Sequence, residues 1–146
     1  MNALTLEPLP EPLEPHRSPF GSDHEGFNPR WWGGRLFRDV LDLEPFAVRD
    51  HGRTVARVEM KHHGEIGHYD PPMDGRTLVA VDFIEVATPM RGAGIGRAVV
   101  NLLIHRFAPA RLYALSEADG FWEALGWARV EHPSERDSWR PLYIAP

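Results

Sequence analysis

Cysteine is absent from the 146 residues, which excludes disulfides, thiolate metal ligands and a cysteine nucleophile together. No apolar run approaches the roughly twenty residues that span a bilayer. Met1-Asn2-Ala3-Leu4 also lacks the basic start and apolar stretch of a secretory signal. A cytoplasmic protein without membrane contact is therefore expected. Basic charge is not in excess either. The formal net charge is −5, so no nucleic-acid partner is expected.

What is present reads as one ordinary domain. Apolar residues make up 42% and charged residues 25% of the chain, a globular balance rather than a disordered one. Neither an internal repeat nor a second domain is visible, so residues 1–146 form a single unit with a proline-rich arm at 1–19. Five prolines fall between Pro8 and Pro19, which forbids a helix there and favours an extended path. Ala3 to Leu6 can supply a short first strand. Leu36, Phe37, Val40 and Leu41 recur at helical spacing, after a paired Trp31-Trp32 that suits a core or a pocket wall. Phe46-Ala47-Val48 and Thr54 to Met60 flank Asp50-His51-Gly52-Arg53, which has hairpin-turn chemistry.

The connection from Lys61 to Arg76 reads as a long loop, a kind of segment that is often functional. It carries His62, His63 and His68 near Glu65 and Asp70. Adjacent histidines and the remaining spacings match neither a one-face helical pair nor a zinc knuckle. A pocket rim or a solvated loop is expected there, and no metal.

Leu78 to Val86 is rich in β-branched residues and short enough for a buried strand. Ile95, Ala98, Val99, Leu102 and Leu103 then repeat at helical spacing until Pro109 ends the run. Between them lies Arg91-Gly92-Ala93-Gly94-Ile95-Gly96-Arg97. Alternate glycines let backbone approach a ligand without Cβ obstruction. Their amides, with the first turn of the helix, can converge on an anion, helped by the helix dipole and by Arg91 and Arg97. A Walker loop would need Lys-Ser/Thr after Gly96, where Arg97-Ala98 stands. A dinucleotide fingerprint would need glycine at position 97. Downstream, Arg111 to Leu115 reads as a strand, and Ser116-x-x-Asp119 has the form of a capping box opening a helix that Gly126 closes. Trp127 to Val130 continues as a strand, and Leu142-Tyr143-Ile144 can pair back antiparallel.

Arg91-x-x-Gly94-x-Gly96 resembles the pyrophosphate loop of the GNAT superfamily of acyl-CoA-dependent N-acetyltransferases. Phe121-Trp122-Glu123-Ala124-Leu125-Gly126-Trp127 resembles that family's aromatic-aromatic-x-x-Leu-Gly-aromatic signature. The likeness covers roughly residues 46–131. It implies a mixed α/β fold with a mostly antiparallel sheet of six to seven strands, splayed at its centre and flanked by about four helices. It implies acetyl-CoA lying between the central strand and the next, parted around Val86. The cofactor contacts implied are Ile84, Val86, Met90, Arg91, Gly92, Ala93, Gly94, Ile95, Gly96, Arg97, Ser116 and Trp122. It also allows a homodimer through edge strands.

The implied activity is acetyl transfer to a primary amine of a small molecule or peptide by direct attack in a ternary complex, since no cysteine can hold the acetyl group. The alternatives are a non-catalytic acyl-CoA-binding module and a nucleotide-phosphate binder. A mild acidic balance leans toward a cationic amine. An amine nucleophile must lose a proton, so a carboxylate is wanted. Asp82 and Glu85 are the candidates, on opposite faces if the strand is regular. Ala80 stands where the family often has its glutamate. The choice leans to Glu85, which a bulge near Val86 can re-aim. Two positions depart from the family. Trp122 stands where many members carry a tyrosine acid, leaving Ser116, Tyr113 and Tyr143 as hydroxyls. Leu115, three before Ala118, replaces a frequent asparagine.

Overall fold

The computed structural model describes residues 4–10, 18–33, 42–64, 66–67, 69–116, 118–134 and 139–146. The proposed helix through Leu36 to Leu41, most of the proline-rich arm, and Glu65 and His68 lie outside the described residues.

Among the described residues, seven strands form one sheet in the order β1-β2-β3-β4-β5-β7-β6. They are β1 (Leu4–Pro8), β2 (Leu43–Asp50), β3 (Arg53–Lys61), β4 (Leu78–Val86), β5 (Arg111–Leu115), β6 (Ala128–Val130) and β7 (Leu142–Ile144). Each adjacent pair of these is antiparallel except β4 with β5. That parallel pair needs a crossover, and α2 (Ile95–Phe107) supplies it. Short helices α1 (Pro29–Trp32) and α3 (Asp119–Ala124) flank the cleft described below. The mixed α/β architecture and strand number expected from the resemblance are found. The β2–β3 turn places His51 at φ 51° and Gly52 at φ 77°, the left-handed pair that a two-residue hairpin of type I′ requires.

One face of the sheet packs on α2. Ile95, Val99, Val100, Leu103 and Phe107 make its buried stripe, and they close on Phe46, Val48, Val58, Met60, Val79 and Val81. The other face is partly polar. It carries Arg57 and Glu59, both buried, and residues 18–33 are bound to it through Arg57.

Three local features differ from or add to the expectations. The helix α3 is capped by Ala118 with no side-chain hydrogen bond. Ser116 Oγ instead accepts the Ala118 N–H at 3.0 Å, so the capping box does not form. The segment before β2 turns helical at Pro29–Trp32, where Asn28 accepts the Arg30 N–H at 3.0 Å and proline is pre-set for the first helical position. The third concerns β4. Met60 pairs with Val81 and Glu59 with Phe83, leaving Asp82 as the extra residue of a β-bulge. The bulge is therefore at Asp82 and not at Val86. It shifts the alternation by one, so Val81 and Ile84 both pack on the α2 side. Phe83 and Glu85 thereby share the opposite face, where Trp32 meets both. Asp82, the bulged residue, lines the same cleft as Phe83 and Glu85. The two carboxylates expected on opposite faces thus both reach one cavity.

Candidate active site

The parallel pairing of β4 with β5 stops early. Leu78, Val79 and Ala80 pair with Arg111, Leu112 and Tyr113, yet β4 runs on to Val86 and β5 to Leu115. The strands part directly after Ala80, well before the expected point at Val86. A cleft of about 750 Å³ fills the gap. Residues 81–86 form one wall, Ala114, Leu115 and Ser116 the other, and Phe121 and Trp122 of α3 close one end. Backbone amides of β4 on the parted side have lost their ladder partners, which makes them donors for whatever lies in the cleft.

A second cavity of about 290 Å³ continues from it over the glycine turn. Met90, Arg91, Gly92, Gly94, Ile95, Gly96 and Arg97 line it, and Val86, Arg91, Gly96 and Phe121 belong to both. Gly92 and Gly94 sit at φ 84° and 77°, with open space where a Cβ would stand. At these two positions the turn therefore presents backbone and no side chain. Gly94 caps α2 without a side-chain bond, and the first helical bond is Ala98 N–H to the Gly94 carbonyl at 3.2 Å. The amides from Ile95 to Arg97 are thus the unsatisfied donors of the first turn. Gly96 serves packing instead, since a Cβ there would come within 2.8 Å of the Phe121 ring. These features fit a diphosphate: a bare concave backbone at a helix mouth, with cations beside it.

Of the twelve expected cofactor contacts, all but Ala93 line one cavity or the other. Ala93 is exposed in the turn and lines neither. The two arginines are engaged. Arg97 donates to the Ala124 carbonyl at 2.9 Å, tying α2 to α3. Arg91 donates to the Val86 carbonyl and to Glu85 Oε2, each at 3.1 Å.

Glu85 and Asp82 both line the cleft but differ in their company. Glu85 is buried. Its Oε1 accepts from the Asn28 backbone N–H at 2.9 Å and from the Trp32 indole at 2.8 Å, while Oε2 takes Arg91. Three donors thus engage the buried Glu85 carboxylate. Asp82 is half-buried, and its charge combines with burial to raise the Tyr113 pKa, burial being the larger cause. Tyr113 therefore stays a phenol. It and Tyr143 are buried and do not line the cleft; of the three candidate hydroxyls only Ser116 does.

Trp122 lines the cleft with its ring packed on Phe121 and Trp127. Its indole nitrogen is buried and finds no hydrogen-bond partner among the described residues. An indole has no titratable proton to give a thiolate.

Across the cleft, Trp31 is 37% exposed and stands 5.5 Å from Phe83 between ring centroids. The paired tryptophans divide the two expected roles, Trp31 in the wall and Trp32 in the core. Phe83, Phe121 and Arg140 also line the cleft, beyond the expected contacts. Phe121 was legible inside the quoted signature, whereas Arg140, just before β7, carries no local signal.

Residues 18–33 are held by Arg57. Its guanidinium lies 2.8 Å from His24 Nδ1, donates to the Asp23 carbonyl at 2.7 Å, and sits over the rings of Phe20 and Phe27. Burial lowers the Arg57 pKa, and Glu85 and Asp23 pull it back up. A guanidinium only donates, so His24 accepts and its ring is neutral. Burial, then Arg57, lowers its pKa accordingly.

Among the described residues of the histidine loop, none lines the cleft. His62 Nε2 lies 2.9 Å from Glu44 Oε1, and its ring rests near Phe107. No group of three potential metal ligands occurs among the described residues.

The fold as a whole superposes on those of solved acetyltransferases. An acetyltransferase from Thermus thermophilus superposes with TM-score 0.63 at 16% identity, over 100% of this chain and 99% of that one. The chain has the GNAT fold. The Bacillus subtilis N-acetyltransferase YlbP, solved in complex with coenzyme A, shares this fold with TM-score 0.54 and 17% identity, over 69% and 66% of the two chains. AtaT complexed with acetyl-methionyl-tRNAfMet gives TM-score 0.63 and 14% identity, over 98% and 94%. In sequence, an uncharacterised N-acetyltransferase of Halalkalibacterium halodurans is 30% identical over 95 residues, 64% of this chain and 54% of that protein. Another, of Shouchella clausii, is 31% identical over 94 residues, 63% of this chain and 55% of that protein. The chain thus spans about half the length of the curated relatives it matches. No family model matches it. Among the described residues no helix is long and apolar enough to cross a membrane.

Proposed function

We propose that the protein is an acetyl-CoA-dependent N-acetyltransferase that moves the acetyl group to a primary amine by direct attack in a ternary complex. The observation that carries this reading is the early parting of β4 from β5, which runs without interruption into the cradle at the mouth of α2. Bound acetyl-CoA supplies the activated thioester. The amides of residues 92 and 94–97 hold its diphosphate, and the parted edge of β4 pairs with its pantetheine arm. An amide of that edge, preorganised in a site walled by apolar side chains, stabilises the developing oxyanion. Asp82, brought to the cleft by the bulge, takes the ammonium proton directly or through water. Glu85 holds the acceptor wall. The thiolate departs beside Ser116, the hydroxyl available in the cleft.

The test is calorimetry with acetyl-CoA, followed by release of free thiol against a panel of amines. The panel includes small amines, peptides and an aminoacyl-tRNA, because one protein of similar fold is complexed with an acetylated methionyl-tRNA. Binding with thiol release above background for any acceptor supports the reading. The partnerless indole of Trp122 favours a second one, a non-catalytic acyl-CoA module. That reading predicts the same heat and no release across the panel. Absence of heat with any acyl thioester removes both.

A further inference from the structure

The buried carboxylate of Glu85 joins two parts of the site that are far apart in sequence. On one side it receives the N–H of Asn28, the N-cap of α1, and the indole N–H of Trp32. These two bonds fix the helical turn that holds Trp31 at the cleft, against Phe83. On the other side it receives Arg91, which also donates to the Val86 carbonyl and opens the glycine turn. Arg57 faces it from β3 across the strand pair. The Arg91 side chain is 54% exposed, whereas that of Glu85 is 8% exposed. A ligand phosphate can therefore reach the arginine but not the carboxylate behind it.

Resting on the acyl-CoA reading, we propose that Glu85 is a positioning residue that couples a diphosphate in the glycine turn to the ordering of the acceptor wall, Asn28 to Trp32. A phosphate beside Arg91 restricts the guanidinium. The carboxylate that shares it loses freedom in turn, and its two remaining bonds to Asn28 and Trp32 open less often. Coupling of this kind needs no displacement of backbone. The donor thereby favours the ordered form of the surface that meets the amine, and by reciprocity an ordered wall favours the donor.

The test needs no known acceptor. In the nitrogen-15-labelled full chain, coenzyme A is titrated to saturation while amide and indole N–H exchange is followed by NMR. The amides of residues 92 and 94–97 should shift, and the Asn28 amide and Trp32 indole should exchange roughly fivefold more slowly, the lower end of typical site-to-site coupling. Glu85→Gln keeps the Oε1 acceptor for Asn28 and Trp32 but turns an NH2 toward Arg91. It should retain the loop shifts and lose the distant slowing. Arg91→Gln cuts the same link from the exposed side; it should weaken coenzyme A binding, and once saturated at higher ligand concentration it should show the loop shifts without the distant slowing, even if the Glu85→Gln chain folds poorly. A merely structural Glu85 would alter exchange without ligand and leave no ligand-dependent part to lose. Loop shifts in the wild-type chain with Asn28 and Trp32 unchanged overturn the coupling alone, as does slowing that persists in Arg91→Gln. No shift anywhere overturns the acyl-CoA reading itself.

Discussion

The two walls of the cleft are built in different ways. The wall of β4, the glycine turn and α2 is one continuous stretch, Leu78 to Phe107, in which each element hands the chain to the next. The proposed acceptor wall, Asn28 to Trp32, comes instead from far along the chain and is held against the first by Phe83 and one carboxylate. Local chain geometry makes the first wall, because strand, turn and helix are each specified by near neighbours. Long-range hydrogen bonds make the second. A defect in the first should therefore appear as lost ligand binding, and a defect in the second as lost stability or lost chemistry.

The sharpest way to break this contrast is Gly94→Glu. The left-handed backbone at φ 77° is strained by about 1–2 kcal/mol for any side chain, and the new carboxylate enters the diphosphate cradle. Calorimetry should find coenzyme A affinity lower by about a thousandfold, roughly 4 kcal/mol. Unchanged affinity would remove the glycine turn from the ligand site.

Next in size is Glu85→Ala, which strands the Asn28 amide, the Trp32 indole and Arg91 without their acceptor. Breaking a buried, hydrogen-bonded ion pair costs about 3–5 kcal/mol, and urea unfolding should register a loss near the lower figure because Arg91 is half exposed. A loss under about 1 kcal/mol, the scale of an exposed pair, would mean that the acceptor wall stands without this anchor.

Asp82→Asn separates chemistry from binding. Loss of a positioned base lowers turnover by about a hundredfold, with coenzyme A affinity unchanged and the acidic limb of the pH–rate profile gone. Equal turnover in both chains would exclude Asp82 as the base.

The smallest effect concerns His24. Its folded pKa lies below the ordinary 6.5, so the unfolded chain binds a proton first as pH falls. The stabilisation is complete above about 6.5 and is lost as pH drops through the folded value. Urea midpoints should fall on acidification across this range, and His24→Gln should flatten that slope. An unchanged slope would show that the Arg57–His24 contact contributes nothing to the attachment of residues 18–33.

How far the site could be read in advance follows the same division. The run from Leu78 to Val86, the glycine turn and the stripe of α2 were legible because period-two and period-3.6 patterns and positive-φ glycines are properties of neighbours. The bulge at Asp82 was not. It exists because β3 pairs Met60 with Val81 and Glu59 with Phe83, a register that nothing within β4 dictates. One extra residue reverses the alternation, so a regular strand puts Asp82 and Glu85 on opposite faces where the real one brings both to the cleft. The part played by Glu85 was hidden for a similar reason: its partners Asn28, Trp32 and Arg91 meet only after the sheet has formed.

By itself the sequence determined the strand–turn–helix that can hold a diphosphate, since backbone conformation there depends on residues within one turn of each other. What the Glu85 carboxylate binds, where β4 leaves β5, and how residues 18–33 bring Trp31 to the cleft were decided by tertiary structure alone. Those features depend on strand register and on hydrogen bonds between groups tens of residues apart, for which no local pattern is required.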